Sequence, residues 1–177
     1  GLLGANGNGK STLAKLIAGR MEPLSGALRR ADRMDIAFFA QHQLDDLRPA
    51  DSAVQHVRPL MGDVGEAQVR ARVGAMGFPT AKMDTPAREL SGGERARLLL
   101  GLATFRGTNL LILDEPTNHL DIDSREALVQ ALNDYPGAVI LISHDRHLIE
   151  ASVDRLLLVG NGGDSDFDGD MDDYRRL

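Results

Sequence analysis

Near its start the chain reads Gly4-Ala5-Asn6-Gly7-Asn8-Gly9-Lys10-Ser11, a glycine, four intervening residues and then Gly-Lys-Ser. That spacing suits the grip of a nucleoside triphosphate, because glycines let backbone N–H groups close around phosphate oxygens that side chains would fend off. Lys10 reaches the β- and γ-phosphates, the Ser11 hydroxyl ligates Mg²⁺, and the positive end of a helix starting here favours the anion. Glycine-rich turns also join strands to helices for structural reasons alone. Here the Lys-Ser pair stands at the required offset behind an apolar stub. A second candidate is Leu110-Leu111-Ile112-Leu113-Asp114-Glu115, an apolar run ending in two carboxylates. Beyond the carboxyl end of a parallel strand, Asp114 is placed to hold Mg²⁺ through water and Glu115 to polarise the water attacking the γ-phosphate. Alone, this pair reads as a solvated acidic turn; beside a phosphate loop it reads as catalysis.

The elements that must position these groups alternate. Gly1-Leu2-Leu3 is the stub of a strand, and residues 10–19 carry Leu13, Leu16 and Ile17 on one helical face with Gly19 as a stop. A strand over 36–40 ends at Gln41. Helical patterns follow near 52–61 and 66–76, Pro79 and Pro86 interrupt, and a helix starts at Ser91 with Leu98, Leu99, Leu102 and Phe105 as its apolar face and Gly107 as its end. Strands over 110–113, 138–142 and 155–159 then alternate with helices over 124–132 and 146–151. Alternation of this kind predicts an α/β fold with a mostly parallel sheet flanked by helices, and a helical subdomain over about 42–106 inserted into one domain spanning 1–177. There is no internal repeat; the Gly/Asp-rich tail over 161–173 is the sole low-complexity stretch.

Composition bounds the functions these motifs can serve. The chain has 177 residues, 42% of them hydrophobic and 26% charged, which suits one α/β domain with its own core. It has no cysteine, so neither disulfides nor thiolate metal sites are available, and a reducing cytoplasm is the expected compartment. A net charge of -6 excludes nucleic-acid binding through a uniformly basic surface and leaves only local patches. The longest apolar runs, such as 138–142, are strand-sized and far below the roughly 20 residues of a membrane helix.

Between the phosphate loop and the acidic strand lies Leu90-Ser91-Gly92-Gly93-Glu94. Read locally, Ser91 with Glu94 three residues on is a capping box that opens a helix and leaves its N-terminal N–H groups as an anion site. In this order the three motifs resemble those of the ATP-binding cassette family, of the P-loop NTPase type. The resemblance implies that residues Gly4, Ala5, Asn6, Gly7, Asn8, Gly9, Lys10, Ser11 and Thr12 hold ATP, with Ser11, Gln41 and Asp114 around Mg²⁺ and Glu115, Gln41 and His144 as catalytic groups. Gln41 would sense Mg²⁺ and the attacking water, and His144, in Ile142-Ser143-His144-Asp145, would be the switch histidine at the γ-phosphate. On residue type alone, Gln41 reads equally as an exposed strand end and His144 as structural. Ser91, Gly92, Gly93 and Glu94 would receive the γ-phosphate of ATP held by an opposing cassette, so two cassettes form two composite sites.

Glu94 followed by Arg95-Ala96-Arg97, where transporter cassettes usually carry Gln, and Pro116-Thr117-Asn118-His119-Leu120-Asp121 are similar to class F cassette proteins, as are Ser143-His144-Asp145-Arg146-His147 and the tail Phe167-Asp168-Gly169-Asp170 with Tyr174. These family members carry two cassettes in one polypeptide, lack membrane domains and act on the ribosome in translation. The resemblance implies a second cassette truncated at its front, without the aromatic residue that stacks on adenine and without the charged linker that reaches ribosome and tRNA. Weak ATP binding with little base selectivity is then expected. The alternative is the nucleotide-binding subunit of a membrane transporter. Asp164, Asp166, Asp168, Gly169, Asp170 and Asp172 also fall at calcium-loop offsets, but Arg175 stands where the bidentate Glu belongs, and a hairpin with a short terminal helix is the preferred reading.

Overall fold

Short apolar runs punctuated by turns become strands β1 (Leu2–Leu3), β2 (Ile36–Ala40), β3 (Leu110–Asp114), β4 (Ala138–Ile142), β5 (Leu157–Gly160) and β6 (Gly163–Asp166) in the computed structural model, which describes residues 1–40, 47–118 and 120–177. They form one sheet in the order β2-β3-β4-β1-β5-β6, parallel throughout except for β6, which returns antiparallel on β5. This is the expected mostly parallel α/β sheet. In β3, Leu111, Ile112 and Leu113 are buried almost completely, as a strand covered on both faces requires. Burying one such side chain contributes about 1.5–3 kcal/mol. In register, Phe38 faces Ile112 and Ile112 faces Ile140, so β2, β3 and β4 end level at Ala40, Asp114 and Ile142.

The helices are α1 (Lys10–Ile17), α2 (Ala53–Met61), α3 (Glu66–Ala75), α4 (Gly92–Ala103), α5 (Ile122–Asp134), α6 (Arg146–Ser152) and α7 (Met171–Arg175), with single 3-10 turns at Thr80–Lys82 and Ala87–Glu89. The described residues divide into two compact units. The first comprises residues 1–40, 107–118 and 132–177 and contains the whole sheet; the second comprises residues 47–106 and 120–131.

In the first unit, Ala14 on α1 packs into a core with Leu2, Phe38, Ile112, Ile142 and Val159. The carbonyl end of α1, left without intrahelical donors, is met by Arg30, whose guanidinium donates to Leu16 O at 2.8 Å and Ile17 O at 3.0 Å. The tail forms the expected hairpin and short helix, and several of its acidic residues are individually engaged. Asp166 pairs with Arg155 at 2.7 Å, Asp170 caps α7 by accepting from Asp172 N and Asp173 N, and Asp172 pairs with Arg146.

In the second unit, Ser52 and Gln55 close a capping box at α2, and Ser91 and Glu94 close another at α4. His56 is buried: its Nδ1 lies 2.8 Å from Ser52 O, and its Nε2 accepts from Arg48 N at 2.9 Å, so this histidine is a structural pin. The end of α4 differs from expectation, as do the bounds of α5 and β5, which run over Ile122–Asp134 and Leu157–Gly160 instead of 124–132 and 155–159. α4 stops at Ala103, ahead of Phe105: Thr104 still donates its N–H to Leu100 O at 3.0 Å and its hydroxyl bonds the same carbonyl at 2.7 Å, but Phe105 N turns to Leu102 O at 3.3 Å, a tighter three-residue step. Phe105 then lies beneath the Arg72 guanidinium, 4.7 Å from the ring centre, while the same side chain donates to Phe105 O.

Candidate nucleotide site

The strand order decides which loops meet. β1 lies between β4 and β5, and β4 lies beside β3, so the loops leaving β1, β3, β4 and β5 open at one end of the sheet. The phosphate loop leaves β1. Its first glycine, Gly4, has φ 143°, and a Cβ there would lie 2.3 Å from Val159 O of β5, so backbone passes backbone too closely for any side chain. Asn8 ties the far side of the loop to the same strand through Nδ2, 3.3 Å from Val159 O.

Lys10 is buried at the start of α1. Its ammonium donates to Gly4 O and, at 3.0 Å, to Ala5 O, which aims the charge into the concavity of the loop. Ser11 and Thr12 follow in the first turn of the same helix.

β3 delivers Asp114 and Glu115. Glu115 N donates to Ile142 O at 2.8 Å, extending the β3–β4 pairing by one residue, and Glu115 adopts φ 51°, the left-handed region. A non-glycine residue there carries strain of about 1–3 kcal/mol. The turn brings the carboxylate against the residue that leaves β4. His144 Nε2 is 3.3 Å from Glu115 Oε1, and His144 N donates to Glu115 Oε2 at 3.4 Å. The same Nε2 lies 3.0 Å from Asn6 Oδ1 of the phosphate loop. Three loops therefore converge on one imidazole.

Burial lifts the Glu115 carboxyl above the ordinary glutamate range, opposed by the charge and N–H of His144; neighbouring Asp114 adds to the rise and Lys10 opposes it. A carboxylate held this way is a better proton acceptor than a free glutamate, which is what activation of a water requires.

His144 is held from its other side by the helix that follows. Asp145 accepts from Leu148 N at 3.1 Å as the cap of α6, and its own N–H donates to the buried Ser143 hydroxyl at 3.0 Å. Gln41, named from the sequence for Mg²⁺ and water, lies outside the described residues.

In the second unit, Ser91 accepts from Glu94 N at 3.1 Å, and Glu94 Oε2 accepts from Ser91 N at 2.8 Å. Gly92 and Gly93 are pressed against the first turn of α5. A Cβ on Gly92 would lie 2.3 Å from Ser124 Oγ, and one on Gly93 would lie 3.0 Å from the Ala127 Cβ. A side chain at Gly92 would thus have to displace the Ser124 hydroxyl, and one at Gly93 would press on the Ala127 methyl. Asp121, whose carboxylate accepts from Ser124 N at 2.8 Å and from the Ser124 hydroxyl, is held below the usual carboxylate range by these bonds. In the sequence Asp121 stands out only as part of a longer motif; its Asp-x-x-Ser spacing was the available signal for a helix cap. Two long-range contacts had no local signal: Asn6 with His144, and the Tyr174 hydroxyl accepting from Gly4 N at 3.1 Å.

The chain belongs to the ABC transporter family, whose sequence pattern matches residues 1–118, and its domain is an ABC ATPase domain of the P-loop NTPase type. Within that family it is similar to the class F branch that its motifs resemble. It is 47% identical over 176 residues to "Probable ATP-binding protein YheS" of Haemophilus influenzae, covering 99% of this chain and 28% of that protein. It is 39% identical to "ABC transporter F family member 3" of Arabidopsis thaliana, covering 99% of this chain and 25% of that protein. The chain therefore spans about a quarter of the length of these curated relatives. Among solved structures, an ABC transporter in an inward-facing conformation matches 94% of this chain and 71% of its own with a TM-score of 0.72 at 24% identity, a likeness of fold. No helix among the described residues is long and apolar enough to cross a membrane.

Proposed function

We propose that this chain binds and hydrolyses ATP as one cassette of a class F protein that acts on the ribosome in translation, in the cytoplasm. The observation that carries the catalytic part is the convergence of the Glu115 carboxylate, the His144 imidazole and the Asn6 side chain beside the Lys10-bearing loop. Residues 4–12 hold the phosphates, Glu115 accepts the proton of the attacking water, and His144 is the γ-phosphate contact that shares the carboxylate.

Ser11 and Asp114 are the oxygen donors that would hold Mg²⁺, joined by Gln41. Among the described residues no group of three His, Asp or Glu side chains could hold a metal without help. That donor set fits a cation that takes its remaining oxygens from phosphates and water. When bound, Mg²⁺ would neutralise charge on the phosphates.

We assign residues 91–94 to the γ-phosphate of ATP held by a second cassette, in the same polypeptide or in a second copy. The further three quarters of the relatives' length supports a partner of that kind. The helical subdomain over about 42–106 is read as an insertion in the cassette, and residues 120–131 fall in one compact unit with its described part. Class F resemblance in the signature and in the relatives supports ribosome and tRNA as partners, reached through segments other than this chain. The fold likeness to a transporter does not distinguish a transporter subunit.

The test is Glu115→Gln in the full-length protein. Loss of the proton acceptor should lower ATP turnover by about 100-fold to 10,000-fold while ATP binding persists, and the ATP-loaded protein should co-sediment with ribosomes in ATP and leave them in ADP. Undiminished turnover removes Glu115 from the mechanism. Enrichment in the membrane fraction overturns the translation reading in favour of a transporter subunit.

A further inference from the structure

The terminal helix α7 makes contacts that the ATPase reading above does not use. Its Tyr174 hydroxyl lies 3.1 Å from Gly4 N and accepts that N–H, although 170 residues separate the two in sequence. Gly4 is the glycine at which β1 gives way to the phosphate loop, so the bond falls on the hinge of the loop. Tyr174 is itself held in place. Its ring meets Phe167 edge-on, at 6.1 Å between centres and 82° between planes, and Met171 is buried one turn earlier. Asp170 closes a capping box that fixes the start of the helix.

A second tie runs from α7 to the histidine side of the site. Asp172 takes a two-pronged bond from Arg146, Nη1 to Oδ1 at 2.6 Å and Nη2 to Oδ2 at 3.1 Å, while Arg146 Nε donates to Glu150 at 2.8 Å. Arg146 opens α6, two residues after His144. Leu3, Gly4, Lys10, His144, Met171 and Tyr174 also line one cavity of about 180 Å³. The short helix thus touches the phosphate loop through Tyr174 and the histidine turn through Asp172.

We infer that Tyr174 is a positioning residue for the phosphate loop, its hydroxyl holding the Gly4 N–H and thereby the loop's entry angle, with the Arg146–Asp172 fork keeping α7 against the site. A loop that must present several N–H groups at once loses affinity when its first peptide is free to rotate. Removal of the hydroxyl also strands a part-buried N–H. This inference rests on the reading of residues 4–12 as the ATP site.

Tyr174→Phe in the full-length protein tests it, because the ring and its packing remain while the acceptor is lost. The net worth of one such bond corresponds to about a threefold to tenfold weaker affinity for MgATP and MgADP alike. KM should rise by the same factor with kcat unchanged within about twofold, since ground and transition state lose the bond equally. Tyr174→Leu, which also removes the ring, serves as the control for packing. If Tyr174→Leu weakens binding while Tyr174→Phe binds like the parent protein, α7 contributes only packing and the inference is overturned. A fall in kcat at constant KM would overturn it equally. Failure of the parent protein to bind ATP would instead remove the nucleotide reading itself, so the two failures are separable.

Discussion

At the end of the sheet, Glu115, His144 and Asn6 reach one another beside the loop that carries Lys10, from positions separated by as many as 138 residues. At the start of α4, Ser91 and Glu94 satisfy each other across three residues, and the glycines between them rest on the first turn of α5. The first region exists only when the β3-β4-β1-β5 order has formed. The second is specified locally, as a cap that any helix start could use. One is a charged cluster in which burial and charged neighbours act on Glu115; the other offers backbone N–H groups and a hydroxyl. The contrast teaches that a cap is complete on its own and could serve the proposed opposing site as it stands, whereas the charged cluster exists only as an assembled whole.

Lys10→Ala strikes the charged cluster hardest. It removes the ammonium that sits on Gly4 O and Ala5 O, and a charge-assisted hydrogen bond is worth about 1.5–3 kcal/mol. MgATP affinity should fall by about 10-fold to 150-fold, measured by titration with a fluorescent nucleotide. The helical content seen by circular dichroism should not change, since α1 keeps a good helix former in its first turn. Retained affinity would show that the loop grips phosphate through its backbone alone.

A smaller effect separates Glu115 from His144. Because burial raises the Glu115 pKa, the folded protein holds that proton more tightly than the unfolded chain does. The stabilising contribution of this group is therefore complete at low pH and is lost as pH rises through the raised value. Under the proposed mechanism turnover needs the opposite, deprotonated form, so the acid limb of the rate profile should lie above the ordinary glutamate range. His144→Ala keeps the backbone N–H and deletes the imidazole whose charge pulls the Glu115 pKa down. The acid limb of the residual activity should move further up in pH. A limb that stays in place would mean that Glu115 is not the titrating group, or that the imidazole does not act on it.

The two regions also differ in how much of them was legible in the sequence. Residues 4–11 and 91–94 encode their geometry in their own spacing, so loop and cap alike were readable without the fold. The apolar run of β3 with its two terminal carboxylates was readable for the same reason. The Glu115–His144 contact needed the parallel neighbour relation of β3 and β4, which alternation suggests and only the sheet order specifies. Tyr174 was visible as a residue of the tail but not as a partner of Gly4, because no periodicity reports a contact across 170 residues. The end of α4 escaped for a local reason: the last turn tightens at Phe105, whose N–H bonds Leu102 O, and the apolar pattern running on to Phe105 concealed it.

The mildest perturbation falls on the cap. Ser91→Ala removes the acceptor for Glu94 N and leaves the reciprocal bond from Ser91 N to Glu94 in place. Such a loss costs about 1 kcal/mol, or roughly 2–4 °C in Tm for a domain of this size, followed by differential scanning fluorimetry. If Ser91 were only a cap, Ser91→Asp would restore the stability and the activity together, since Asp caps as well as Ser. If Ser91 faces the γ-phosphate of an opposing cassette, the carboxylate repels that anion, so Ser91→Asp should regain the Tm while turnover stays low. On that reading nucleotide affinity at the Lys10 loop should be unchanged in both variants, because the cap and the loop would meet different molecules of ATP. Recovery of turnover in Ser91→Asp would return the signature segment to the status of a helix start, and the comparison between the two regions would reduce to one site and its scaffold.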